Sequence, residues 1–183
     1  MQINANIQIE WSAKMNDLLP PNDPIDAVGE AYELLLEKSL QNAHKSGAFV
    51  HHMIEKSRDE IVALNKFRED EIVKLADFLK RDLIDAAHYL NNTEKELKYW
   101  LGFDVALLKR ELWEQFSRAA GQTTEVLNQL NPNAVNSKYY SGEITGLGTL
   151  ECDQCGEKVH FQKPSKVPIC ANCKCTVFHR QKF

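Results

Sequence analysis

The chain has 183 residues, of which 43% are hydrophobic and 26% charged, with a formal net charge of −4. This length allows a helical domain with a small appended module, and no apolar run approaches the ~20 residues that a membrane span requires. Residues 148–183 carry six Lys/Arg and three Asp/Glu (net +3), while the rest carry 16 and 23 (net −7), so the helices are not expected to bind nucleic acid.

The first 22 residues are predicted to be a flexible arm, and a helix is predicted to follow. Asp23 suits the cap of that helix and Pro24 its first position. Apolar residues then recur at helical spacing, at Val28, Ala31, Tyr32, Leu35 and Leu36. Gly47 either ends this helix or weakens a longer one that continues to about Leu64, and the longer helix is favoured.

Two further long helices are predicted. Asn65 is expected to cap the first, whose buried face consists of Ile72, Leu75, Leu79, Leu83, Ala86 and Leu90, with charged residues such as Arg81 and Asp85 largely off that face. Thr93 and Glu96 form a capping box for the second, which Gly121 is expected to end before a short helix that stops at Pro132. The chain is therefore predicted to be mostly α, with an antiparallel hairpin or coiled-coil bundle over residues 23–130 that could form a homodimer.

Residues 131–147 are predicted to be a linker and residues 148–183 a small β zinc ribbon. Cys152-x2-Cys155 and Cys170-x2-Cys173 present four thiolates, the donor set of one tetrahedral zinc ion. Short strands are expected near 149–150, 158–162 and 176–180, and metal binding would supply the folding free energy that so small a core lacks. Gly156 permits the positive φ that lets backbone amides point at the sulfurs.

Two other states of the cysteines are compatible with the same spacing. A pair of disulfides is disfavoured because all five cysteines lie after residue 150 and residues 1–14 lack the apolar run of a secretory signal, which together indicate the cytoplasm. A rubredoxin-like iron site uses the same two cysteine pairs but favours a proline and a glycine in the second pair. Cys175 is interpreted as a spectator, with an alternative ligand or a redox-sensitive thiol left open.

A longer pattern leads into the first cysteine pair, namely Tyr139-x-x-Gly142-Glu143-x-x-Gly146-x-Gly148-x-Leu150-x-Cys152-x2-Cys155. Upstream stand Lys80-Arg81-Asp82-Leu83, Leu112-Trp113, and Thr123 or Thr124. Together these resemble a bacterial family of zinc-ribbon-containing proteins of unknown function, the YbeL-like family, over roughly residues 30–183. The resemblance implies a helical region and a zinc site on the four cysteines, and it supplies no activity.

The second cysteine pair departs from the family pattern C-P-x-C-G. Ala171 replaces the proline and Lys174 replaces the glycine. Lys174 would have to adopt a turn that glycine enters freely, at a cost of about 1 kcal/mol.

No catalytic motif stands out in the sequence. Asp85-x-x-His88 has the spacing of a carboxylate-bridged di-iron site but lacks a second copy, so it is interpreted as a solvated helix edge. Four cysteines would close the zinc shell and leave no position for water or substrate. A non-enzymatic protein is therefore predicted.

A binding function remains. The candidate partner contacts combine positive charge with nearby aromatic or proline residues and are Lys163, Lys166, His179, Arg180 and Lys182. The leading hypothesis is an adaptor whose ribbon docks a protein partner. Direct RNA or DNA binding by the ribbon is the second hypothesis, and a purely structural ribbon at the end of the bundle is the third.

Overall fold

The computed structural model describes residues 24–93, 95–127 and 138–181. These residues form four α-helices, α1 (Pro24–Ser46), α2 (Val50–Val62), α3 (Glu69–Thr93) and α4 (Arg110–Thr124). Six strands follow, β1 (Lys138–Tyr140), β2 (Ile144–Thr145), β3 (Gly148–Cys152), β4 (Lys158–Phe161), β5 (Ser165–Lys166) and β6 (Val177–Arg180). The predicted class, mostly α with a C-terminal β ribbon, is confirmed. The predicted arm at 1–22 lies outside the described residues, and so does most of the short helix predicted before Pro132.

The prediction of one long helix to about Leu64 is wrong, because α1 ends at Ser46 and α2 begins at Val50. Gly47 has a φ of 69°, the left-handed conformation that commonly follows a helix end and that glycine adopts without a Cβ penalty. Beyond the turn, α2 packs back on α1, where Asn42 Nδ2 donates to Ser57 Oγ over 3.0 Å in a buried position.

The predicted caps around α3 are also wrong. Asn65 follows the end of α2 in a left-handed conformation (φ 52°), and α3 begins only at Glu69. At the other end, Thr93 Oγ1 donates to the Tyr89 carbonyl oxygen over 2.8 Å. Thr93 therefore bonds back into the last turn of α3 and does not open a new helix with Glu96.

The long helix predicted after Thr93 is replaced by two 3₁₀ turns, Leu97–Leu101 and Val105–Leu107, and by the shorter helix α4. Gly102 separates the two turns with a φ of 76°, and a Cβ at this position would lie 2.7 Å from Thr149 Oγ1 of the ribbon. Helix α4 then continues through Gly121, which was predicted to end it. The break after Leu101 thus lies where the ribbon packs against the helical part.

The strands form two antiparallel sheets, one with the order β1-β6-β3-β4 and one made of β2 and β5. Residues 138–147 contribute β1 and β2, so their assignment to the linker is corrected. They belong to the ribbon because β1 pairs with β6 and β2 pairs with β5.

The ribbon packs directly on the helices. The helical core is built from α1 to α4 and Trp100, and it also includes Ile144 and Leu147 of the ribbon segment. A separate small core inside the ribbon contains Tyr139, Leu150, Phe161, Val167 and Phe178 together with Cys152 and Cys170. Among the described helices, none combines the length and apolar character needed to cross a membrane.

Candidate metal centre and helix–ribbon interface

The four predicted metal ligands come together in space. The sulfur atoms of Cys152, Cys155, Cys170 and Cys173 all lie within 4.8 Å of one another. The Cys152 and Cys173 sulfurs are 3.5 Å apart, and the Cys155 and Cys170 sulfurs are 3.6 Å apart. A tetrahedral zinc ion about 2.3 Å from each sulfur would place the sulfurs about 3.8 Å apart. The donor set therefore fits one tetrahedral metal ion, and none of the five cysteines forms a disulfide.

Two matching backbone turns position these thiols. The amide of Gly156 donates to the Cys152 carbonyl, and the amide of Lys174 donates to the Cys170 carbonyl, each over 3.0 Å. Both donors have left-handed backbones, with φ values of 73° and 64°. The positive φ predicted at Gly156 and the turn predicted for Lys174 are thereby confirmed.

Replacing Lys174 with glycine is expected to raise the free energy of unfolding of the metal-bound protein by up to about 1 kcal/mol. A left-handed backbone costs a residue with a Cβ about 1–2 kcal/mol. Part of the gain is offset by the greater freedom of glycine in the unfolded chain and by loss of the 3.2 Å bond from Lys174 Nζ to the Ala171 carbonyl. Urea unfolding at a fixed zinc concentration measures the change. Gly156→Ala is the matched variant and should lose stability; a loss in Lys174→Gly as well would contradict the expectation.

The electrostatics of the cluster favour the thiolate form of one ligand. Burial acts to raise the pKa of Cys152, but the backbone amides of Cys155 and Gln154 and the neighbouring thiols lower it to about 6. The backbone amide of Cys175 acts to lower the pKa of Cys173, but burial and the neighbouring thiols raise it to about 12. Several anionic sulfurs this close together repel one another unless a cation lies between them, and the thiolate is the form that binds metal.

The remaining thiol and the two ribbon histidines are engaged elsewhere. Cys175 is not part of the four-sulfur cluster, and its half-buried sulfur accepts from the Val177 amide over 3.4 Å, in agreement with the spectator interpretation. His179 Nδ1 contacts Asp153, and His160 Nδ1 lies 2.7 Å from Thr149 Oγ1.

A second constellation, which the sequence did not reveal, lies where the ribbon meets α3. We call it the helix–ribbon network, and it consists of Tyr32, Arg81, Asp82, Asp85, Tyr139 and Arg180. Arg180 was predicted to be a partner contact, but its side chain is only 10% exposed. The guanidinium lies 4.7 Å from the centre of the Trp100 ring. It donates to Tyr139 Oη at 3.0 Å, Leu147 O at 3.0 Å and Thr145 Oγ1 at 2.9 Å.

Asp82 is the buried acceptor at the centre of this network, with a fully buried side chain. Four donors surround its two oxygens: Tyr32 Oη at 2.9 Å, the Gly146 amide at 2.6 Å, Arg180 Nη2 at 3.3 Å and Arg81 Nε at 3.4 Å. A buried carboxylate is tolerated when its lone pairs are satisfied in this way. Burial raises the pKa of Tyr32 well above its ordinary value, so its hydroxyl keeps the proton that it donates.

Arg81 links helix α3 to β2 and to the residue before it. Its Nη1 donates to Glu143 Oε2 over 2.6 Å and its Nη2 to the Ile144 carbonyl over 3.0 Å. The guanidinium also lies 3.8 Å from the centre of the Tyr139 ring, a cation–π distance. Arg81 therefore helps to hold the ribbon against α3.

Asp85 is not on the solvated helix edge that the sequence predicted. Its side chain is 8% exposed because the ribbon covers this part of α3, and it accepts a hydrogen bond from the Tyr139 hydroxyl. Burial raises the pKa of Asp85 to about 7, although Arg180 and the Tyr139 hydrogen bond act to lower it.

Replacing Asp85 with asparagine is expected to remove one component of the pH dependence of stability. The folded pKa of about 7 exceeds the ordinary value of 3.8, so the stability that Asp85 contributes is full below about pH 4 and is lost as the pH rises through about 7. The limiting slope is about 1.4 kcal/mol per pH unit. Asparagine cannot ionise, yet it keeps an oxygen for Tyr139. Urea unfolding between about pH 5.5 and 8 should show the wild type losing stability relative to the variant; parallel curves would refute this.

Two glycines of the pattern that runs from Tyr139 to Cys155 let the ribbon approach the helices closely. A Cβ at Gly146 would lie 3.2 Å from Asp82 Oδ2 and closer still to Tyr32 Oη. Gly148 has a φ of 112°, and a Cβ there would lie 2.9 Å from Arg180 Nη1. Residues of the pattern before the first cysteine pair thus contact residues of the Lys80-Arg81-Asp82-Leu83 stretch. The joint presence of the two patterns was the available signal for this interface.

The other predicted partner contacts have mixed environments. Lys163 and Lys166 are exposed. His179 is half-buried beside Asp153, and Lys182 lies outside the described residues.

Comparison with known proteins agrees with the metal centre. The model of the family described as "Zinc-ribbon containing domain" matches residues 37–182. Over 83 residues, the chain is 30% identical to "Uncharacterized protein YbeL" from three strains of Escherichia coli, a match that covers 43% of this chain. The chain spans about half the length of these curated relatives (50%), and no solved structure matches it. The chain belongs to the family of proteins with this zinc-ribbon containing domain.

Proposed function

We propose that the protein is a non-enzymatic zinc-ribbon adaptor in which Cys152, Cys155, Cys170 and Cys173 bind one structural Zn²⁺. The observation that carries the proposal is the close group of four sulfurs. Four thiolates complete a tetrahedral shell, whereas catalytic zinc keeps one position open for water or substrate. Free thiols that serve as ligands suit a reducing compartment, and the cytoplasm is the proposed location.

Two exposed apolar side chains on neighbouring segments of the ribbon support a protein partner. Tyr140 is 49% exposed and Ile169 is 58% exposed. Their neighbouring segments are joined by bonds from Ser141 Oγ to the Pro168 carbonyl and from the Gly142 amide to the Val167 carbonyl, each 2.8 Å long. Exposed lysine at position 166 adds positive charge nearby. An acidic protein surface that offers an apolar anchor would suit these two side chains and the lysine beside them.

Native mass spectrometry with elemental analysis tests the metal. We expect one zinc ion per chain and a colourless protein. A red protein that contains iron would overturn the choice of zinc, and a ribbon that stays folded without metal would overturn the structural site.

Affinity capture from the native cell tests the adaptor role. A partner bound by the wild type should be lost from the double variant Tyr140→Ser with Ile169→Ser. Tyr99→Ser is the matched control, because Tyr99 is 55% exposed on the 3₁₀ turn before Gly102 and lies outside the ribbon. Equal loss in the control, or retention of every partner by the double variant, would contradict the proposal.

Direct binding of RNA or DNA is the alternative, and the surroundings of two of its predicted cationic contacts weaken the case for it. Arg180 is internal and His179 contacts Asp153, so Lys163 and Lys166 are the exposed cations of the predicted set within the described residues. Nucleic-acid binding that weakens steeply with salt requires several phosphate contacts. We expect little binding to a mixed-sequence RNA or DNA oligonucleotide at physiological salt. Salt-dependent binding that is lost in Lys163→Ala with Lys166→Ala would favour the alternative.

A further inference from the structure

We propose that the ribbon is a metal-dependent latch: metal binding holds Arg180 against α3, and metal loss releases the face of α3 that carries Asp82 and Asp85. This inference rests on the proposed function, since it requires that the four cysteines bind a metal ion. It goes beyond that function, because binding of the ion would determine whether a face of α3, which does not itself bind the ion, is exposed.

The connection between the sulfur cluster and the helix–ribbon network is short. In the pairing of β3 with β6, Cys152 lies opposite Phe178 and Leu150 lies opposite Arg180. Arg180 is therefore two residues along the strand from the register position of a metal ligand, or about 7 Å. Tyr139 also pairs with Phe178 from the other side. Unfolding of the ribbon after metal loss would displace both side chains from α3.

The ribbon supplies many of the partners of the two carboxylates. Asp82 receives two of its four donors from the ribbon, the Gly146 amide and Arg180. For Asp85, the hydrogen bond from Tyr139 and the ion-pair contact with Arg180 at 3.9 Å both come from the ribbon. When the ribbon is docked, its groups satisfy the carboxylates. When it is released, water replaces those groups, so neither state leaves a buried charge unpaired.

The ribbon meets the helices along a seam that is only partly closed. The ribbon residues Ile144 and Leu147 belong to the helical core, and their apolar contacts attach the ribbon to the helices. Beside Ile144, however, a pocket of about 210 Å³ that is partly open to solvent lies between the ribbon and helices α1 and α3, and it is lined by Val28, Ile72 and Leu75 among others. The ribbon therefore does not cover α1 and α3 continuously at this point of the seam. Because the ribbon depends on its own metal site and leaves this part of the helices uncovered, it can detach while the helices stay folded.

Hydrogen exchange on the full-length protein tests the latch. The zinc-loaded protein is compared with protein stripped by EDTA in the presence of a phosphine reductant. In the stripped protein we expect amides of residues 75–90 in α3 to exchange at least about tenfold faster. Amides of α2 (Val50–Val62), which faces the other helices, should exchange at an unchanged rate.

A variant separates docking from metal binding. Arg180→Gln should retain one zinc ion per chain yet show faster exchange over residues 75–90. Lys158→Gln is the matched control, because Lys158 is an exposed cation on the edge strand β4, and it should behave as the wild type.

Three results would overturn the inference while leaving the zinc site intact. These are unchanged exchange of α3 after stripping, equal deprotection of α2 and α3, and wild-type exchange in Arg180→Gln. A purified protein that never binds zinc would instead overturn the proposed function, so the two failures are distinguishable.

Discussion

Replacing Arg180 with methionine is expected to lower the free energy of unfolding by about 3–5 kcal/mol. The guanidinium is almost completely buried, and its removal leaves Asp82 with one fewer cation and Asp85 with only the Tyr139 hydroxyl among the contacts described above. Methionine fills part of the volume but offers no donor. Breaking a buried ion pair is costly because the remaining charge stays desolvated. Urea unfolding of the zinc-saturated protein measures the loss.

An exposed arginine provides the control for this prediction. Arg68 pairs with Asp70 over 3.2 Å, and the two side chains are 74% and 56% exposed. Exposed ion pairs contribute about 0–1 kcal/mol, so Arg68→Met should change stability little. Combining Arg180→Met with Asp85→Asn should cost less than the sum of the single changes, because the neutral amide no longer needs a cation. Additive losses, or an Arg180→Met variant as stable as Arg68→Met, would show that the network is not coupled as described.

Replacing Cys170 with serine is expected to abolish metal binding and unfold the ribbon. Cys170 is fully buried and provides one of the four clustered sulfurs. Structural zinc sites supply about 10–16 kcal/mol of apparent binding free energy in small zinc domains, and that energy is also folding energy. Native mass spectrometry should show the zinc stoichiometry fall from one to near zero, and near-ultraviolet circular dichroism should lose the signal of the ribbon aromatic residues.

The neighbouring spare thiol gives the matched control. Cys175→Ser removes a sulfur that is outside the four-sulfur cluster, so this variant should keep one zinc ion and change stability by no more than about 1 kcal/mol. Loss of zinc from Cys175→Ser together with retention in Cys170→Ser would show that Cys175, and not Cys170, is the ligand.

The metal centre was predictable because its determinants are local. A C-x2-C pair forms its turn within a few residues, and thiolate chemistry specifies the metal without knowledge of the rest of the fold. The same locality made the left-handed turn at Lys174 predictable from the missing glycine of the family pattern. Beyond these local turns, the prediction required only that the two cysteine pairs meet at one ion.

The helix–ribbon network was not predictable from periodicity because it depends on contacts between distant parts of the chain. Arg81 and Asp85 lie off the apolar stripe of α3, and such residues are normally solvated. Here a second element covers them, and its arginine lies almost one hundred positions further along the sequence. The helix ends were also mispredicted, because Gly47 stopped a helix that was predicted to continue and Thr93 bonded back to Tyr89.

The position of β6 in the sheet bears on how the protein is completed during translation. β6 is the last described strand in the chain, yet it lies between β1 and β3 in the sheet. During synthesis, α3 therefore emerges from the ribosome long before β6, the strand that brings Arg180 to it. At about 5–20 residues per second, this interval is on the order of ten seconds. During that time the ribbon groups that contact Asp82 and Asp85 are not yet in place, so these two carboxylates are open to water until zinc and β6 close the interface.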